Sequence, residues 1–145
     1  MAKGKEAIMK VEIFHPESGK DDIIEIEHFD TWSMDFTLAP IILPMLIQLR
    51  ATKHGSPVVN DEDVPEELRS SSAPSIESKD DIDDNYHKRW DWVMDEMIYA
   101  FDCKANKDDV FMRFDIKDKE GMDKEQNRIS NGFRLFGKYF ENLWD

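Results

Sequence analysis

The stretch Thr31–Arg50, TWSMDFTLAPIILPMLIQLR, decides the fold. From Phe36 to Leu49 it holds no charged residue, and only Thr37 and Gln48 are clearly polar. On a helical wheel, at about 100° per residue, Met34, Leu38, Ile41, Ile42, Met45 and Leu49 share one face. Trp32, Phe36, Leu43, Leu46 and Ile47 share nearly the opposite one. A helix apolar on two faces belongs in the middle of a domain, with neighbours on both sides. The pattern therefore predicts a buried central helix over residues 32–50.

A bilayer span needs roughly 20 apolar residues. This run falls short, with Asp35 at one end and Arg50 at the other, so no membrane association is expected. Pro40 and Pro44 are the difficulty, because each removes an amide donor and crowds the preceding turn. Spaced four apart, they lie on one side of a helix and can share a bend. The alternative is a short turn through Trp32–Ala39, with the main helix opening at Pro40, a position that tolerates proline. A kinked, continuous helix is the favoured reading.

Working outward, Met9, Val11 and Ile13 alternate with Lys10 and Glu12, and Ile24 and Ile26 alternate with Glu25 and Glu27. That is the period of half-buried strands. Turn residues His15–Lys20 separate them, so a β-hairpin of residues 8–14 and 22–28 is expected. Downstream, Lys53-His-Gly-Ser-Pro reads as a helix stop. Residues 60–84 then hold ten acids and two bases, most of the net charge of −13. Residues 56–83 are expected as an acidic, mobile loop, anchored in its first half by Val58-Val59 and Val64–Leu68.

A second helix is predicted from about Asp84 to Lys104, with Tyr86, Trp90, Val93, Met94, Met97, Ala100 and Phe101 on its core face. Trp92 and Tyr99 fall on its back, beside Glu96 and Cys103. Residues 110–116 alternate again, a third strand for the sheet. The last helix, about Met122–Trp144, puts Met122, Ile129, Phe133, Phe136, Phe140, Leu143 and Trp144 on one side. Asn127, Asn131, Arg134 and Lys138 form a polar stripe on the other. Gly132 and Gly137 within it suggest close approach of a neighbouring helix or a ligand. The expected fold class is α+β: about three main helices around the buried helix 32–50, with a small antiparallel sheet of 8–14, 22–28 and 110–116.

The 145 residues suit one domain, 1–145. The charge of −13 disfavours nucleic acid and anionic membrane as partners and permits a basic one. Cys103 is the single cysteine, so no internal disulfide framework exists, and a reducing cytoplasm is the expected setting. The N-terminus lacks an apolar run long enough for a signal peptide.

No phosphate-binding loop, zinc spacing or nucleophile elbow is present. Asp91, Asp95, Glu96 and Asp102 on one helix resemble a fragment of a carboxylate metal site, but partner carboxylates are not evident. A solvated acidic face is the simpler reading. His15, His28, His54 and His87 lack joining ligand spacing, and no metal or cofactor is expected. The stripe of Asn127, Asn131, Arg134 and Lys138 suits a phosphate or another small anionic ligand. The bland alternative pairs these bases with Glu141 or the acidic loop. Trp92, Glu96 and Tyr99 are a candidate interface, which points to a homo-oligomer.

The blocks DTWSMDFTLAPIILPMLIQLRATKHGSP, DEDVPEELRS, YHKRWDWVMDEMIYAF and RISNGFRLFGKYFENLWD, taken in order, resemble a family of small tailed-bacteriophage proteins. The resemblance covers roughly residues 30–145. It implies a phage-encoded protein acting in the host cell cytoplasm and carries no activity to particular residues. The leading expectation is a non-enzymatic accessory protein that binds a host protein or sequesters a small anionic ligand, for instance to counter host defence. A helical nucleotide-handling hydrolase using acidic helix residues and a minor virion component are the alternatives.

Overall fold

The structure, a computed structural model, describes residues 12–14, 23–106, 115 and 117–145. Two short strands, β1 (Glu12–Phe14) and β2 (Ile23–Glu25), pair antiparallel with Ile13 opposite Ile24. Among the described residues four helices follow: α1 (His28–Trp32), α2 (Met34–Thr52), α3 (Tyr86–Ala105) and α4 (Lys119–Lys138). Between α2 and α3 the chain makes single 3-10 turns at Asp61–Asp63, Glu66–Leu68 and Ser70–Ser72.

The α+β expectation is overturned, because the protein is helical. Among the described residues the only ladder is three residues long on each strand. A two-stranded ribbon is too small to form a layer of its own. Ile24 of β2, and Ile26 just beyond its end, stand in solvent. His28, expected in a strand, opens α1. The predicted third strand, 110–116, lies outside the described residues apart from Asp115.

The second correction concerns the centre. The buried middle helix is α3, and α2 flanks it. Trp90, Val93, Met94, Met97, Ala100 and Phe101 of α3 are all buried. They meet Ala39 and Leu46 of α2 on one side and Leu135 of α4 on the other. Phe101 stacks edge-on against Phe133 and Phe136, with ring centroids 5.1 and 4.8 Å apart. Ile129 packs with Ala100 and Cys103. Gly132 lets α3 and α4 approach closely. A β-carbon there would sit 2.5 Å from the Ala100 Cβ and 2.5 Å from the Glu96 carbonyl oxygen.

By contrast α2 buries one face only. Leu46 is 3% exposed, whereas Met45 is 67% and Ile47 49% exposed. Both prolines lie within the continuous helix, so the alternative start at Pro40 does not hold; the break falls at Ser33. Pro40 and Pro44 are on the exposed side. There, water can serve the carbonyls that lose their helical donors. By length and composition α2 could cross a membrane. Its ends are instead tied to α3: Asp35 pairs with Lys104 at 3.0 Å, and Arg50 pairs with Asp95 at 3.0 Å.

The acidic segment is fastened along its first half. Val59 and Val64 are buried in the core. Asn60 donates its amide to the Tyr139 hydroxyl at 3.1 Å. Arg89, itself buried, grips Asp83 with two hydrogen bonds of 2.8 and 2.7 Å and donates to the Leu68 carbonyl. Asn85 donates to the carbonyls of Glu67 and Arg69.

Candidate interaction surface

The polar stripe of α4 is taken up from within. Arg134 donates to Asp63 at 2.9 Å and to Asn131 Oδ1 at 2.8 Å. Lys138 reaches Asp63 at 2.5 Å and Glu62 at 3.3 Å. Tyr139 adds its hydroxyl to Asp63 at 2.6 Å. Burial pushes the Asp63 carboxyl upward, but Lys138, Tyr139 and Arg134 more than reverse this and hold it below the usual carboxylate range. An incoming anion would compete with an internal carboxylate that is 3% exposed and triply bonded. Asn127 stands apart, exposed in a shallow depression with Lys119 and Lys124. The four residues do not converge on one pocket.

The aromatic back of α3 is likewise covered. The Arg128 guanidinium lies 3.6 Å from the centre of the Tyr99 ring and pairs with Glu96 at 3.0 Å. Trp92 is half-buried and packs against the core. Carboxylates of α3 face cations: Asp91 pairs with Lys53 at 2.7 Å, and Asp95 with Arg50. Among the described residues no three His, Cys, Asp or Glu side chains are placed to hold a metal ion. An open cavity of about 390 Å³ lies between Trp90, Trp144 and the His54–Pro57 turn. Its rim holds His54 paired to Asp145 at 2.9 Å and Ser56 bonded to His87 at 2.8 Å.

Among the described residues the longest run of exposed apolar side chains lies on α1 and α2. Asp30 is the base of this region. It is buried, and its carboxylate accepts the Glu27 amide at 2.9 Å. Its carbonyl accepts the Thr37 hydroxyl at 2.8 Å. These bonds set the short α1 firmly against the start of α2. On that base Phe29 and Trp32 stand edge-to-face, 6.4 Å between centroids, with Trp32 77% exposed. Ile24 and Ile26 precede them, and Met34 and Phe36 follow, all exposed. Exposed carboxylates of Glu25 and Glu27 lie alongside in sequence.

Phe29 entered no sequence reading, and Trp32 entered only as a core residue. Neither lies in the uncharged run, which signalled only the open face of α2. Two apolar faces on one helix satisfy double burial, and they equally satisfy one buried face and one left for a partner. No protein-family model, no curated protein and no solved structure matches this chain.

Proposed function

We propose that this is a non-enzymatic binding protein that engages a protein target through the aromatic knob of α1. The carrying observation is the exposed Phe29–Trp32 pair held on a base made rigid by buried Asp30. Large aromatics near the centre of a contact supply most of the energy of protein interfaces. A knob fixed in advance loses little entropy on docking. The chain is strongly acidic, and Glu25 and Glu27 flank the knob. The target chemistry that fits is an apolar socket with a basic rim, since opposed charges steer and orient the encounter.

The resemblance to small tailed-phage proteins supports an accessory role in the infected bacterial cytoplasm, with a host protein as the target. The internal pairing of Arg134 and Lys138 argues against capture of a small anion at that stripe.

Capture from host lysate tests this, using the parent, Trp32→Ser and Phe29→Ser, with Gln126→Ala as a control on the far helix. A host protein retained by the parent and the control, lost by both aromatic variants and weakened by salt, is the expected result. Identical capture by all four chains would overturn the proposal.

A further inference from the structure

We propose that a second copy of this chain covers the outer face of α2, giving a two-fold dimer in which the two α2 helices cross antiparallel near Pro44. The face adjoins the α1 knob, sharing Met34 and Phe36 with it, and runs beyond it along α2. Pro40, Pro44, Gln48 and Ala51 run along its crest and are exposed. Met34, Leu38 and Met45 form one exposed shoulder, and Phe36 and Ile47 the other.

Three observations choose this occupant. The first is area. With about 200 Å² for a large side chain, the shoulders and crest leave on the order of 650 Å² of largely apolar surface in water, above what a typical monomer shows in one patch. Two copies would bury roughly 1,300 Å², within the range of specific, stable interfaces. The second is charge. Two chains of −13 each repel unless they meet where charge is missing. Between Asp35 and Arg50 there is none, and both of those residues are engaged by α3, through Lys104 and through Asp91 and Asp95.

The third is symmetry. Pro44 sits near the middle of Met34–Thr52. A two-fold axis there sets Pro40 opposite Gln48 and Ile41 opposite Ile47, each contact made twice, as a self-complementary interface requires. The flat proline rings on the crest allow the helices to approach near the axis, while the two shoulders flank the seam.

Sedimentation velocity up to high micromolar concentration reads the assembly. Ala51→Glu and Gln48→Glu each set a buried charge against the uncharged seam of the partner, at exposed helical positions where each chain keeps its fold. A dimer for the parent, weakened roughly tenfold or more in both variants, is expected. Pro44→Cys in a Cys103→Ala chain should form a disulfide-linked dimer under mild oxidant far faster than Glu67→Cys, because a residue on the axis meets itself. A monomeric parent overturns the proposal. So does a dimer indifferent to both glutamates, or one in which Pro44→Cys couples no faster than the control. Binding of the monomer to phosphatidylcholine vesicles, lost in the same variants, would assign the face to a lipid surface and also overturn it. None of these outcomes reads Trp32, so the target-binding proposal is judged separately by its own capture experiment.

Discussion

Asp63 and Tyr139 meet inside the protein through a 2.6 Å hydrogen bond, although 76 residues separate them in the chain. The contact clamps the acidic segment onto the end of α4, and Arg134 and Lys138 complete it. Removing one partner of a buried, charged cluster typically costs about 3–5 kcal/mol. Asp63→Ala is therefore expected to lower stability by roughly that amount, and Tyr139→Phe by about 1–3 kcal/mol, the range for an orphaned buried hydrogen-bonding group. Urea denaturation of both variants checks the order.

The same cluster sets an acid limit. Asp63 has a folded pKa below its ordinary value of 3.8, despite burial, because of Lys138, Tyr139 and Arg134. A depressed folded pKa gives stability that is complete above the unfolded value and is lost as pH falls through the folded one. Asp83, held down chiefly by Arg89, acts in the same sense. Stability should thus decline below about pH 4. Asp63→Asn should flatten part of that decline, as followed by thermal unfolding across pH. A slope unchanged in Asp63→Asn would remove this residue from the account.

Leu46 and Met45 are chain neighbours with opposite fates. Leu46→Ala opens the core and should cost about 2–5 kcal/mol. Met45→Ala trims a solvent-exposed side chain and should stay within about 0.5 kcal/mol for the monomer. Equal losses in chemical denaturation of monomeric protein would restore the doubly buried helix.

Gly132 and Gly137 lie on the same helix and should respond with opposite sign. Gly137→Ala adds a methyl where nothing stands within 4 Å, and gains roughly 1 kcal/mol of helix propensity. Gly132→Ala drives a methyl against Ala100 and the Glu96 carbonyl. Overpacking of that kind costs about 1–3 kcal/mol, outweighing the same propensity gain. Differential thermal melting decides both.

These contrasts show what could be read from the residues. The face of α3 was legible because its apolar residues recur at one helical period and acids and bases fill many of the remaining positions. The stop after α2 was legible from Gly55 and Pro57. The role of α2 was not, since an uncharged helix shows no polar side from which to infer its orientation. The strand alternation near the N-terminus could not reveal how little of the fold a single short ladder makes. In α4 the helical period was carried too far: the helix ends at Lys138, and Phe140 and Trp144 turn outward. The stripe on that helix was visible as a set of residues, but not its internal partner. Asp63 is one of ten acids in its segment, and only the fold singles it out.

The distance along the chain between Asp63 and Tyr139 also bears on the order of folding. The α3–α4 contacts join residues as near in the chain as Glu96 and Arg128, 32 apart, and such shorter-range contacts form sooner. The clamp closes a much longer loop, and it needs α4 already in place to present Tyr139, Arg134 and Lys138 together. It should therefore be absent from the rate-limiting barrier. In stopped-flow experiments Asp63→Ala should speed unfolding and leave refolding almost unchanged, whereas Met97→Ala at the α3 core should slow refolding.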